Sequence, residues 1–223
     1  MFVPSGKWKD VHPEARVGTL IIRNVRNTEL HANLETRKRS LEKELHAFLG
    51  NMEEAALKKL PPIQAYTAYY KRFKKTYPLL QQLKTLVIRR QPLPRVSGLV
   101  DAMFMAEMKN LLLTAGHDLE KVVAPVFIGA AAGDEQYLKL NGEIQTLKPG
   151  DMIMRDGEGI ISSVIYGPDA RTRMTLLTRE VLFVVYAPVG IDTESISRHL
   201  EDIKENVMVF SPQAEAESVI IHP

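Results

Sequence analysis

The chain has 223 residues, of which 45% are hydrophobic and 25% are charged, and it contains no cysteine. This length and composition predict a globular protein with one sizeable core, and the missing cysteine excludes disulfides and thiolate metal sites. The first residues lack the pattern of a signal peptide, and no stretch of about 18 apolar residues predicts a membrane span. We therefore expect a cytoplasmic protein without a membrane partner.

Basic and acidic residues are segregated along the chain, although the net charge is only +2. No acidic residue occurs between Glu54 and Asp101, and the interval 55–100 contains ten lysines and arginines. The rest of the chain is acidic on balance. Such a segment predicts either a surface that binds a polyanion or a solvated pair of helices with a chance excess of charge.

In the first half, the β-branched run at 17–25 predicts a buried strand, and apolar residues at helical spacing over 34–49 predict an amphipathic helix that ends at Gly50. A further helix is expected over 63–77, with its aromatic side chains facing the core and its lysines facing outward. The next helix runs to about residue 90. A buried helix begins at Ser97 and ends at Gly116 as its C′ residue.

Strands follow in the second half. Asn141-Gly142 predicts a hairpin turn between strands at 136–140 and 143–147. Further strands are expected at 159–166 and at 181–187, the second of them central. Asp192 caps a last amphipathic helix, and the tail over 212–223 is predicted to be poorly ordered. Helices followed by strands indicate an α+β fold.

Few motifs carry recognisable chemistry. The six histidines contain no metal-binding pair, and neither a phosphate-binding glycine loop nor a nucleophile elbow occurs, so no metal and no cofactor is predicted. His117-Asp118 is either an acid–base pair or a capping pair in a loop, and the loop is favoured because adjacent side chains point apart. Arg171 and Arg173, beside Thr172, can bind a phosphate or carboxylate or lie solvated on a hairpin.

A resemblance emerges from the order of the segments PLPRVSGLVDAMFM (92–105), LLTAGHDLEKV (112–122), YLKLNGE (137–143) and SSVIYG (162–167). The chain resembles free-standing proteins that carry the tRNA-editing domain of the bacterial phenylalanyl-tRNA synthetase β subunit, formed by its third and fourth B modules. The resemblance covers about residues 10 to 191. It implies a three-layer α+β domain, with a β-sandwich of unusual topology and helices packed on it. It also implies a pocket that, in the synthetase, hydrolyses tyrosine wrongly attached to phenylalanine tRNA.

The family's pocket residues carry over only in part. Asp101 and Asp118 match family aspartates, but Ala115 stands where the family has its pocket histidine. The pocket glutamate falls on Val184, or on Tyr186 if the strand is aligned two residues later. The implied pocket comprises Ala115, His117, Asp118, Ser163, Tyr166, Gly167, Arg171, Arg173 and Tyr186. The RNA contacts predicted from the basic segment come from Lys71, Arg72, Lys74, Lys75, Arg89 and Arg90.

We therefore predict one editing-domain-like domain over residues 1–211 that binds tRNA or another RNA and acts in translation. No catalytic residue is assigned, tyrosine-specific editing is doubtful, and no DNA partner is expected. Two alternatives stay open. The chain is an aminoacyl-tRNA hydrolase acting in trans, or it hydrolyses or binds a small anionic metabolite held by Arg171 and Arg173. The sequence does not decide the ligand or the oligomeric state.

Overall fold

The computed structural model describes residues 2–4, 6–49, 52–89 and 91–223. The helices are α1 (Gly6–Val11), α2 (Ala32–Leu49), α3 (Glu54–Leu57), α4 (Pro61–Arg72), α5 (Pro78–Arg89), α6 (Gly98–Asn110) and α7 (Thr193–Phe210). The strands are β1 (Phe2–Pro4), β2 (Arg16–Arg23), β3 (Thr114–Asp118), β4 (Val126–Ala130), β5 (Gln136–Leu138), β6 (Ile144–Thr146), β7 (Met152–Arg155), β8 (Ile160–Ser163), β9 (Gly167–Pro168), β10 (Val181–Ala187), β11 (Glu215–Ala216) and β12 (Ile220–His222).

Two sheets organise these strands. The central sheet has the order β11-β2-β10-β3, and β12 also pairs with β2. The second sheet has the order β1-β4-β7-β8-β9, and β5 and β6 form a separate hairpin. Every residue of β10 is buried, which matches its unbroken apolar sequence. The arrangement confirms the predicted α+β class.

The central sheet lies between a helical layer and the second sheet. Gly18 of β2 faces α7 so closely that an added Cβ would lie 2.3 Å from Cγ2 of Ile196. On the opposite face of the central sheet, the hydroxyl of Tyr186 in β10 hydrogen-bonds Ser162 of β8 in the second sheet. The order of helices, central sheet and second sheet follows from these two contacts.

Several predicted elements are confirmed by the structure. The strand at 17–25 corresponds to β2, the helix at 34–49 to α2, and the strand at 181–187 to β10. Asp192 caps α7, since its Oδ1 accepts a hydrogen bond of 2.6 Å from the backbone N–H of Ser195. The Asn141-Gly142 hairpin also forms, between β5 and β6.

Two predicted helices are too long. Helix α6 ends at Asn110 because Leu111 adopts the left-handed conformation with φ of 59°. Gly116 is therefore not a helix-terminating residue but part of β3, where an added Cβ would lie 2.4 Å from Cε of Met174. Helix α4 ends at Arg72, and Tyr77 lies beyond it.

The predicted poorly ordered tail is wrong. Its strands β11 and β12 both pair antiparallel with β2. The indole Nε1 of Trp8 donates to the carbonyl of Pro223 at 3.1 Å, which fixes the end of the chain. Among the helices that the structure describes, none has the length and apolar character needed to cross a bilayer.

Candidate nucleic-acid interface and adjoining pocket region

Helix α4 is attached to the sheets by three tyrosines on one side. The hydroxyl of Tyr66 donates to the carbonyl of Tyr186 at 2.7 Å, and that of Tyr70 donates to the carbonyl of Val164 at 2.6 Å. Tyr69 donates to a carboxylate oxygen of Asp151 at 2.6 Å. All three rings are nearly fully buried, as the aromatic spacing predicts.

The other side of α4 and the turn after it form what we call the basic surface: Lys71, Arg72, Lys74 and Lys75. All four residues are exposed. In the part of the chain that the structure describes, no carboxylate lies within ion-pair distance of any of them. Because the tyrosines fix the opposite face, this side of the helix must face solvent.

The basic surface borders the segment that the resemblance assigns to the pocket. The Nζ of Lys75 lies 5.4 Å from the ring centroid of Tyr166, which follows β8. Lys148 approaches from the same neighbourhood, since its Nζ donates to the carbonyl of Phe73 at 2.7 Å. The structure thus brings Tyr166 together with Lys75, one of the predicted RNA-binding lysines.

The other cations of the interval 55–100 do not all belong to the basic surface. Arg95 is bound to Glu35 at 2.7 Å, which removes one charge from the excess counted in the sequence. The side chain of Arg89 and the whole of Arg90 lie outside the described residues, so their predicted RNA contacts stay predictions. Asp101, which matches a family aspartate, forms a buried ion pair with Lys38 at 2.9 Å and has a structural role.

The region predicted as the pocket is densely occupied. Ala115, Ser163 and Tyr186 are each at most 6% exposed. The hydroxyl of Tyr186 hydrogen-bonds Ser162, and the hydroxyl of Ser163 hydrogen-bonds Asp151. The first of these contacts crosses the space between the two sheets, and the second joins β8 to the residue before β7. Tyr166 and Gly167 are half-buried at the edge of this space.

Asp151 is a buried carboxylate that the sequence analysis did not single out. Its side chain accepts hydrogen bonds from Tyr69 and Ser163, on α4 and β8. Burial is the main cause that raises its pKa to about 6. Its position after Pro149-Gly150 signalled a turn, and only the folded chain shows that the carboxylate points inward.

His117 and Asp118 lie in β3, so the predicted loop or capping role is wrong. The Nδ1 of His117 lies 2.7 Å from the hydroxyl of Thr172, which in turn contacts Asp169. Burial lowers the pKa of His117 to about 4. The carboxylate of Asp118 instead accepts from the hydroxyl of Thr178 at 2.8 Å. The two adjacent side chains have different partners and do not act as a pair.

Arg171 is neutralised within the protein. Its guanidinium donates to both carboxylate oxygens of Asp156, at 2.8 and 2.7 Å, and to the carbonyl of Lys121 at 2.6 Å. Although burial alone would raise the pKa of Asp156, the hydrogen bonds from Arg171 and the backbone lower it. Arg173 is exposed, with its backbone bridged to His117. This geometry opposes an anion site built on Arg171 and Arg173.

The chain is similar to known proteins in two comparisons. A family model described as the B3/4 domain matches residues 63–211. A solved N-terminal fragment of the phenylalanyl-tRNA synthetase β subunit from Pyrococcus horikoshii is similar, with a TM-score of 0.49 and 15% sequence identity. The similarity covers 100% of this chain and 53% of that one, so the chain spans about half the length of the fragment. No curated protein matches the chain.

Proposed function

The chain belongs to the B3/4 domain family, and we propose that it binds RNA, in the first place tRNA, through the basic surface. The observation that carries this proposal is the grouping of four exposed cations without a carboxylate partner among the described residues. Cations that no protein group neutralises are available to phosphates.

The buried side of α4 gives the basic surface a fixed position. Three tyrosine hydroxyls tie the helix to β10, to Asp151 before β7 and to Val164 after β8. The cations are thus presented on a rigid element, which lowers the entropy lost when phosphates bind. Contacts of this kind supply affinity and orientation but do not read sequence.

The test of this proposal replaces Lys71, Lys74 and Lys75 together with glutamine. We expect the affinity for an unmodified tRNA transcript to fall on the order of 100-fold at about 0.15 M salt, with a salt dependence shallower by about two to three in log–log slope. Filter-binding titrations at two salt concentrations measure both quantities.

A matched control removes the same charge elsewhere. Lys43 and Lys121 are exposed and Lys204 is partly exposed, all three outside the basic surface, and their joint replacement by glutamine should leave the slope unchanged. An equal loss in both triple variants would assign the binding to net charge alone. Unchanged affinity in the first variant would remove the basic surface from the function.

Tyrosine editing is not part of the proposed function. Ala115 of β3 and Val184 of β10 are paired directly across the strands, at positions where the resemblance implies a histidine and a glutamate. Neither side chain can hold an ammonium group or activate water. If the glutamate position is aligned with Tyr186 instead, that side chain is a buried phenol bound to Ser162.

A further inference from the structure

A cleft of about 200 Å³ opens beside the basic surface. Its walls are apolar and come from three parts of the chain. Helix α4 contributes Ala65, Ala68 and Tyr69, the segment after β10 contributes Pro188 and Val189, and the end of α1 contributes Val11. Arg72 lines the cleft and also belongs to the basic surface, so the two features are continuous.

The polar groups of the cleft include two hydrogen-bond acceptors. The Nε2 of His12 lies 3.0 Å from the carbonyl of Gly150, so Nε2 carries the proton and Nδ1 keeps its lone pair. Burial lowers the pKa of His12, which keeps the ring neutral near pH 7. In the described part of the chain Nδ1 has no hydrogen-bond partner. Glu14 adds an exposed carboxylate to the lining.

Size and chemistry together limit what the cleft can take. Pockets for drug-sized ligands have volumes of roughly 300–1,000 Å³, so this cleft suits a single planar ring system rather than a larger molecule. The lone pair of His12 and the carboxylate of Glu14 match N–H donors on the edge of such a ring. Arg72, whose guanidinium lies 5.7 Å from the ring centroid of Tyr69, offers a cation to an adjoining phosphate.

We infer that this cleft holds one unpaired nucleobase of the bound RNA, while the neighbouring phosphates lie on the basic surface. This inference rests on the proposed function, because the cations on Lys71, Arg72 and the following lysines supply the backbone contacts. A base inside a duplex is stacked and paired, and it cannot enter a cleft in the protein. The protein should therefore prefer single strands and loops to a continuous duplex.

The test fills the cleft without changing charge. Ala68 is an exposed residue of α4 that lines the cleft, and Ala68→Leu places an aliphatic group where the base would lie. Ala47→Leu is the matched control, since Ala47 is an exposed helical alanine of α2 outside the cleft. The probes are a single-stranded RNA oligonucleotide of mixed sequence and the same sequence annealed into a duplex. Thermal unfolding verifies that both variants fold.

We expect Ala68→Leu to bind the single strand with roughly ten-fold weaker affinity and the duplex with unchanged affinity. Ala47→Leu should bind both probes as wild type does. The lysine triple variant should weaken binding of both probes. If Ala68→Leu binds the single strand as wild type does while the lysine variant loses both probes, RNA binding stands and the base cleft is wrong. Equal affinity of wild type for the single strand and the duplex would also contradict the proposal that the cleft holds an unpaired base. Failure of wild type to bind either probe removes the proposed function itself.

Discussion

The basic surface and the arginine segment 171–173 carry the same kind of charge in opposite structural settings. The lysines after α4 are exposed and have no carboxylate partner among the residues described. Arg171 instead binds both oxygens of Asp156, whose side chain is fully buried. The availability of a cation thus depends on whether the fold places a carboxylate beside it. An excess of charge predicts binding only where the fold leaves that charge unpaired.

This contrast predicts that Arg171 contributes to stability and the basic surface does not. Arg171→Ala leaves the buried carboxylate of Asp156 with backbone donors only, and we expect a loss of about 2–3 kcal/mol in the free energy of unfolding. Arg173→Ala, the matched control two residues away, should change it by less than about 0.5 kcal/mol. Urea unfolding measures both, and RNA affinity should be unchanged in Arg171→Ala. A loss of similar size at Arg173 would contradict the contrast.

The sequence predicts secondary-structure elements well where local patterning decides the structure. The apolar run of β10, the stripe and cap of α7 and the aromatic face of α4 all follow from spacing, and the family resemblance is confirmed by the B3/4 match. Prediction from the sequence failed where contacts between residues distant in the chain decide the structure. Gly116 has the sequence signature of a helix end, but it lies in β3, where it pairs with Phe183 of β10.

The C-terminal tail and the arginine segment show the same limit. Residues 212–223 are too polar and too short to predict strands, yet β2 offers a free edge that pairs with them. The sequence predicts Arg171 as a solvated or ligand-binding cation, whereas in the folded chain its guanidinium binds Asp156. Long-range pairing, rather than local propensity, set both outcomes.

A second prediction sharpens the difference between the two sides of α4. Glu107 of α6 is buried near the tyrosines on the inner side, where its carboxylate accepts from the backbone N–H of Thr114 at 2.7 Å. Burial raises the pKa of Glu107 to about 8. Between its ordinary pKa of 4.5 and 8, the folded state holds a proton that the unfolded state has released, so stability falls as pH rises.

Comparing wild type with Glu107→Gln over the interval from pH 6.5 to 8 isolates this group, because the buried His117 and His199, whose pKa values are lowered to about 4, contribute equally to the pH dependence of both proteins. Over that interval the ionisation of Glu107 should lower the unfolding free energy of wild type by about 2 kcal/mol. Glu107→Gln should remove most of the loss, and the exposed control Glu120→Gln should keep it. RNA affinity should be the same in all three proteins. An equal pH dependence in wild type and Glu107→Gln would show that Glu107 is ionised in the fold.

The last prediction is that the space between the two sheets has no editing activity. An editing site needs a group that holds the amino acid's ammonium and room for the aminoacyl ester beside it. Here Ala115 and Val184 are apolar, and the hydroxyl of Tyr186 is already bound to Ser162.

The protein should therefore release tyrosine from mischarged phenylalanine tRNA no faster than the spontaneous rate, even at concentrations where it binds the tRNA fully. A radiolabelled deacylation assay measures this, with the lysine triple variant as the non-binding control. Rapid release by wild type but not by that variant would show that the space opens on the bound tRNA and that the family's activity survives without its histidine and glutamate.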